Sequence, residues 1–237
     1  PMDNNVYVLR CRETGDAVLL DAADEHEQLL ELSRRLGVRE VWVGPGFRFG
    51  RGREGDLALL QAAGAAHGFT ADEIAPVLLE GERVSSTRIR AALVAGDFAL
   101  AARLLGRSYA IGGHVVRGQQ LGRTLGYPTA NLRYGGKTPA LRGIYATWVH
   151  GVAAHPWPSV SSFGTRPTVD GVEPLLEAHL FDFDGDLYGR RIEVEFVAHL
   201  RDEEKFPDLA TMVAQIRRDD ERARAILMDQ APQRASA

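Results

Sequence analysis

The sequence predicts an α+β chain: an α/β half, then a β-domain closed by a terminal helix. Three observations predict it. Short β-prone runs alternate with stretches of helical period as far as Gly106, short alternating runs set off by turn residues follow from Tyr109, and Asp208 to Leu227 returns to a 3.6-residue period. The 237 residues permit one large domain or two smaller ones, each able to bury a core. Apolar residues at 45% and charged residues at 25% are an ordinary globular balance, and a net charge of -4 argues against a general nucleic-acid binder, which would show a basic face. Cys11 is the only cysteine, so an intrachain disulfide and a cysteine zinc cluster are both excluded and a reducing cytoplasm fits best. No apolar run approaches the length of a membrane span, and Pro1 to Asn5 lack the basic start and apolar core of a signal peptide. The expected setting is cytoplasmic, with small molecules as partners.

In chain order, Val6 to Arg10 and Ala17 to Leu20 are β-prone runs split by Thr14-Gly15-Asp16, a hairpin pattern. Asp21 caps an expected helix through Gly37, and Arg39 to Gly44 reads as a strand. A loop rich in glycine and arginine runs from Gly44 to Asp56 and leads into a helix to His67. It contains a formal G-x-G-x-x-G match at Gly50, Gly52 and Gly55, but the strand stops about six residues early for a dinucleotide fingerprint. Arg48, Arg51 and Arg53 ahead of a helix suit either a phosphate-approaching loop or a solvated basic one. Ile74 to Leu79 reads as a strand and Gly81-Glu82 as a turn. In Val84 to Arg90, Ser85 or Ser86 can cap the next helix, which places Arg88 and Arg90 in its first turn against the macrodipole; a polyanion would relieve that conflict. Gly96-Asp97 breaks this helix, and another runs from Phe98 to Leu105.

Beyond Gly106, strands are expected at Tyr109 to Val116, Ile144 to His150, Ser159 to Phe163, Leu175 to Phe183 and Arg191 to Leu200, the spacing of a barrel or sandwich. Asp184-Gly185 is a hairpin signal. The final helix carries Leu209, Met212, Val213, Ile216, Ala223, Ile226 and Leu227 on one face and is expected to lie across the β-domain.

The stretch that looks built for chemistry is Gly122-Arg-Thr-Leu-Gly-Tyr-Pro-Thr-Ala-Asn131. Glycines at 122 and 126 can take backbone angles closed to other residues and turn N–H groups toward an anion, with Arg123 adding a cation. Pro128 fixes its own φ and extends Tyr127, which orients Thr129 and Asn131. Their neutral oxygens suit a magnesium nucleotide; the plainer alternative is a Gly-Pro turn between strands.

With Gly143-Ile-Tyr145, Phe163-Gly-Thr-Arg-Pro-Thr168, Glu177-Ala-His179, Leu187-Tyr-Gly189 and Leu200-Arg-Asp-Glu-Glu-Lys-Phe206, this stretch resembles the bacterial bifunctional riboflavin kinase/FMN adenylyltransferase (FAD synthetase) family. The resemblance implies a C-terminal six-stranded antiparallel riboflavin-kinase barrel with a C-terminal helix, preceded by a partial α/β nucleotidyltransferase-like (Rossmann-like) domain. It implies ATP as co-substrate bound by Gly118, Gly122, Arg123, Gly126, Tyr127, Pro128 and Thr129, and Mg²⁺ held by Thr129 and Asn131. Glu177 then matches the family's general base and Arg201 an arginine near the flavin, with riboflavin as substrate and FMN as product.

In the other half, Phe47-Arg-Phe-Gly50, Gly55-Asp56 and Ser85-Ser-Thr-Arg-Ile-Arg90 match the later part of the family's adenylyltransferase domain, which makes Ser85, Ser86, Thr87, Arg88 and Arg90 a remnant phosphate site. The family's opening Gly-x-Phe-Asp-Gly-x-His-x-Gly-His segment has no counterpart here, and Gly46 stands where the family has Asp. Asn5 to Asp21 looks faintly like the start of a metallo-β-lactamase-type hydrolase, without the His-x-His-x-Asp-His that would follow. The expected division is residues 1–38 outside the family, 39–106 a truncated adenylyltransferase-like domain, 107–229 the kinase domain and 230–237 a loose tail. Riboflavin kinase is the expected activity; the rivals are a fully bifunctional FAD synthetase and a non-catalytic flavin or nucleotide carrier.

Overall fold

The computed structural model of the chain describes residues 7–10, 13–14, 17–20, 35, 37–118, 121–133, 140–168 and 171–229. By contacts these fall into two compact units, Pro1–Arg83 and Val84–Ala237.

In the first unit, strands β1 (Tyr7–Arg10) and β2 (Ala17–Leu20) pair antiparallel as the hairpin pattern predicts. The expected helix from Asp21 lies largely outside the described residues. Strand β3 (Glu40–Val43), helix α1 (Leu57–His67) and strand β4 (Thr70–Glu73) form a parallel β–α–β unit. Asp56 caps α1 by accepting the Leu59 N–H at 3.1 Å, and Gly68 ends it at φ 81°. The strand expected at 74–79 is displaced. Thr70 to Glu73, a polar run with no alternation to betray it, takes the place beside β3, while Pro76 interrupts the apolar run that follows. That run supplies only β5 (Leu78–Leu79), which pairs with β6 (Glu82–Arg83) across Glu80-Gly81. Both turn residues have positive φ, 58° and 80°, as a type I′ hairpin requires.

The arginine-rich loop folds on itself. Phe49 and Gly55 exchange N–H···O bonds of 3.1 and 2.9 Å around a single 3₁₀ turn at Arg51–Arg53, and Phe47 stacks on Phe49 at 5.7 Å.

The second unit opens with helices α2 (Ser86–Val94) and α3 (Phe98–Leu105), capped by Ser85 and Asp97. Gly106, where the sequence pattern changes, is the left-handed C-cap of α3. Six strands follow, with a one-turn helix α4 (Leu121–Thr124) between the first two: β7 (Ala110–Val116), β8 (Ala130–Arg133), β9 (Gly143–His150), β10 (Trp157–Thr168), β11 (Gly171–Leu180) and β12 (Arg191–Arg201). They close into a barrel in the order β10-β11-β8-β7-β12-β9, with every neighbouring pair antiparallel. This is the predicted six-stranded antiparallel barrel.

Two details differ from expectation. β8 carried no strand signal of its own, because it is four residues long and directly follows the Gly-Pro turn. Asp184-Gly185 is not a hairpin: β11 pairs with β10 and β8 and β12 with β7 and β9, so residues 181–190 cross from one part of the barrel to another. An Asx turn, Asp186 Oδ1 accepting the Tyr188 N–H at 2.9 Å, shapes that crossing.

Alternation along the strands sets two layers. Phe163, Leu176, Ala178, Ile192, Val194 and Phe196 fill the barrel interior, where Thr147 Oγ1 meets Ser159 Oγ at 2.6 Å and Ser161 Oγ at 2.7 Å, so three buried hydroxyls satisfy one another. Helix α5 (Leu209–Asp229), capped by Asp208 accepting the Thr211 N–H at 2.7 Å, lies on the outer face. Its Ala223 and Leu227 are buried with Ala146, Val160, Phe181 and Leu200, which bears out the C-terminal part of the predicted apolar stripe, whereas Leu209 at its start is exposed.

Candidate active site

A cavity of about 380 Å³ opens on the outer face of β10 and β11, roofed by α5 and bounded by the loops 121–129 and 202–206. Strand period decides what faces it. Leu176, Ala178 and Leu180 of β11 point into the barrel, so Leu175, Glu177 and His179 point out.

One end of the cavity is polar. Glu177 on β11 is the direct cross-strand partner of Asn131 on β8, and Thr129 Oγ1 donates to Glu177 Oε1 at 3.4 Å. Asn131 is buried, its Nδ2 donating to the Thr129 carbonyl at 3.4 Å, and Gly118 lies so close that a methyl group there would sit 2.6 Å from Asn131 Oδ1. The three polar groups singled out in the sequence, Thr129, Asn131 and Glu177, therefore converge. Thr129 and Asn131 offer neutral oxygens beside a carboxylate, a hard donor set that fits Mg²⁺, and the contact with Gly118 restricts how the Asn131 amide can turn.

The loop before them is tight. Gly126 has φ 85°, as the sequence suggested, but Gly122 is not in the left-handed region. It is needed for close approach, since a Cβ there would meet the Tyr127 carbonyl oxygen. The N–H groups of Leu125 and Tyr127 both go to the Gly122 carbonyl, at 3.1 and 2.8 Å, and that of Gly126 to Arg123 at 3.2 Å. Three N–H groups of the loop expected to turn toward an anion are thus spent inside it, while the Arg123 side chain stays exposed.

At the other end Arg201, where β12 stops, is clamped by α5. Its Nε lies 3.0 and 3.1 Å from the two Asp219 oxygens and its Nη2 donates to Oδ2 at 2.8 Å, while Nη1 reaches the Asp202 carbonyl at 2.9 Å and Glu204 Oε1 at 3.3 Å. Gln215 also donates to Asp219 at 3.0 Å. Arg201 lines the cavity with most of its donors committed, so it holds the 202–206 loop as much as it faces a ligand.

Several wall residues were not assigned roles from sequence. Ile144, Val160, Leu175, Met212 and Ile216 make an apolar slot, and Glu203, Glu204 and Phe206 edge it. Met212 and Ile216 belong to the same helical stripe as Ala223 and Leu227, and period alone cannot tell a core face from a cavity wall. The remnant motif is separate in character: Ser85 Oγ accepts the Arg88 N–H at 3.2 Å as an ordinary N-cap. Ser85 to Arg90 lie in the second unit, while Phe47 to Gly50 lie in the first.

An antiparallel six-stranded barrel thus carries a carboxylate, two neutral oxygen donors and an apolar slot on its outer face. The chain belongs to the riboflavin kinase family, which matches residues 105–227, and the FAD synthetase family matches residues 23–88, beginning upstream of the motifs at Phe47. It is 46% identical over 193 residues to the bifunctional riboflavin kinase/FMN adenylyltransferase of Escherichia coli K12, covering 81% of this chain and 62% of that protein. With the enzyme of the same description from Haemophilus influenzae the identity is 42% over 194 residues, covering 82% and 63%. The chain thus spans less than two thirds of the length of these relatives. Among solved structures, one described as a macrolide-efflux protein from Streptococcus pneumoniae aligns with a TM-score of 0.58 at 33% identity, over 76% of this chain and 58% of that one. No helix among the described residues is long and apolar enough to cross a membrane.

Proposed function

We propose that the chain is an ATP-dependent riboflavin kinase, transferring the γ-phosphate of Mg-ATP to the ribityl 5′-hydroxyl of riboflavin to give FMN. The observation that carries this is the convergence of Glu177, Thr129 and Asn131 at the polar end of a cavity that also holds an apolar slot. A flat, largely apolar ring system suits the slot, and a primary hydroxyl extending from it would reach the carboxylate. Glu177 accepts the hydroxyl proton as phosphorus–oxygen bond formation begins, and the strand that carries it fixes its position. Thr129 and Asn131 hold Mg²⁺, which when bound offsets the charge on the phosphate oxygens. The loop of Gly118, Gly122, Arg123, Gly126, Tyr127 and Pro128 borders the nucleotide end; its internal hydrogen bonds make it a preformed edge, and Arg123 supplies the cation. Arg201, held by Asp219, borders the flavin end.

The same reading gives little or no FAD. The remnant Ser85, Ser86, Thr87, Arg88 and Arg90 can attract phosphate, but adenylyl transfer needs the triphosphate held and its developing charge stabilised from more than one side. This chain contains no His-x-Gly-His to complete that clamp. The FAD synthetase match and the bifunctional relatives favour the second reading, in which FMN is also adenylylated.

One experiment separates them. Purified chain is incubated with riboflavin and Mg-ATP, then with FMN, Mg-ATP and pyrophosphatase, and flavins are resolved by chromatography. FMN without FAD is the expected result; no FMN refutes the kinase reading, and FAD at a rate comparable to FMN establishes the bifunctional one.

A further inference from the structure

We infer that His179 is a positioning residue for the nucleotide end of the site, tethering the Gly122–Pro128 loop to the strand that carries the general base; the inference rests on the kinase reading. The β8–β11 ladder pairs Leu132 with Leu176, Asn131 with Glu177 and Ala130 with Ala178, and stops there. The next pair would be Thr129 with His179, and beyond it lies Pro128, which has no N–H to give a ladder. At this point the His179 imidazole takes over: its Nδ1 lies 2.8 Å from the Pro128 carbonyl oxygen. A carbonyl only accepts, so Nδ1 carries the proton and donates. The ring also meets Tyr127 edge-on at 5.3 Å and Phe181 at 6.1 Å.

The consequence is mechanical. The loop is closed on itself where the Tyr127 N–H meets the Gly122 carbonyl, a closure that by itself does not fix the loop against a pivot about Pro128. The imidazole bond removes the pivot. It ties the residue immediately before Thr129 to the residue two beyond Glu177, so the metal-facing hydroxyl and the base are held in one frame. Losing the bond loosens the nucleotide edge and leaves the apolar slot intact.

The test compares His179→Asn, His179→Gln and His179→Ala with the wild type. Asn places an amide N–H where Nδ1 lies, whereas Gln places it near Nε2, so only Asn restores the tether. A hydrogen bond of this kind is worth about 1 kcal/mol, so the KM for Mg-ATP should rise roughly 3- to 10-fold in Ala and Gln and stay near wild type in Asn, with the riboflavin KM changing less than about twofold. Calorimetry with a non-hydrolysable ATP analogue and Mg²⁺ reads the same order of affinities without turnover, so a wild type that binds the analogue but makes no FMN overturns the kinase reading and not the tether. If Ala fails to fold, the Asn and Gln comparison decides. Equal analogue affinities in all the folded proteins, rescue by Gln as complete as by Asn, or a riboflavin KM shifted as far as that of Mg-ATP would overturn the proposal.

Discussion

Gly118→Ala probes the metal end by pressing a methyl group on the Asn131 amide while leaving Thr129 and Glu177 unchanged. A Cβ at this position would lie 2.6 Å from Asn131 Oδ1, 2.7 Å from Cγ and 2.8 Å from Nδ2. To reach ordinary contact the amide must retreat by roughly 0.8 Å, yet Asn131 is buried and held between β7 and β11. Overpacking of this size costs about 1–3 kcal/mol, which for a domain of this length lowers Tm by roughly 2–4 °C per kcal/mol. The functional effect should be larger than the loss of stability, because misplacing a positioning group by about 1 Å can cost on the order of 100-fold in rate. FMN formation measured against Mg²⁺ concentration should show a raised metal requirement and a reduced maximal rate, with the riboflavin KM little changed. A folded variant with a wild-type magnesium profile would show that the Gly118 contact does not set the Asn131 amide, and the assignment of Asn131 as a ligand would lose its structural support.

Three further outcomes are expected. Glu177→Gln should retain binding of an ATP analogue while turnover falls by a factor on the order of 10² to 10⁴, and wild-type FMN production would remove Glu177 from the base role. Asn131→Ala and Thr129→Ala should each raise the magnesium and ATP requirements together, and a change confined to riboflavin affinity would contradict the metal assignment. Tyr145 gives a pH prediction: burial first, then the Asp202 and Glu203 carboxylates, hold its hydroxyl protonated and raise its pKa from 10.0 to about 12. The unfolded chain loses that proton first, so this contribution to stability is complete below about pH 10 and gone as pH passes about 12. Denaturant titrations across that window should show Tyr145→Phe losing stability less steeply than the wild type.

The barrel was legible because its long strands alternate. In Arg191–Arg201, Ile192, Val194 and Phe196 alternate with exposed or half-buried residues and are buried in turn, until the register shifts beyond Phe196 break the alternation and Leu200 packs under α5. What escaped were elements whose reason for being strands lies elsewhere in the chain. Thr70–Glu73 is polar and becomes a strand only because β3 offers it a parallel edge; Ala130–Arg133 is short and becomes one because β7 and β11 flank it. Asp184-Gly185 carries hairpin residues, yet the strands around it pair with others, so local turn chemistry yielded to barrel closure. The site was readable as a motif but not as a geometry. Nothing in the spacing of Glu177 and Asn131 says that they are cross-strand partners, and nothing in the Gly122–Pro128 run says that its N–H groups turn onto its own carbonyls.

The same register that builds the barrel builds the chemistry on its outside. Sheet side chains have a period of two, so β11 sends Leu176, Ala178 and Leu180 inward to a core that also buries Phe163 and the hydroxyls of Thr147, Ser159 and Ser161. The outer set is then fixed with no further specification: Leu175 to the apolar slot, Glu177 to Thr129 and Asn131, His179 to Pro128. A slip of one residue would push a glutamate and a histidine into the barrel and expose the residues that fill it, and three interior hydroxyls already bonded to one another would not offset the burial of a charge. The packing energy of the interior therefore guards the placement of the proposed catalytic face. The same framing would let neutral oxygens on and just before a short strand serve as the proposed ligands: β8 need not be stable alone, because β7 and β11 hold it from both sides, and the atoms that face the cavity inherit the rigidity of the barrel wall.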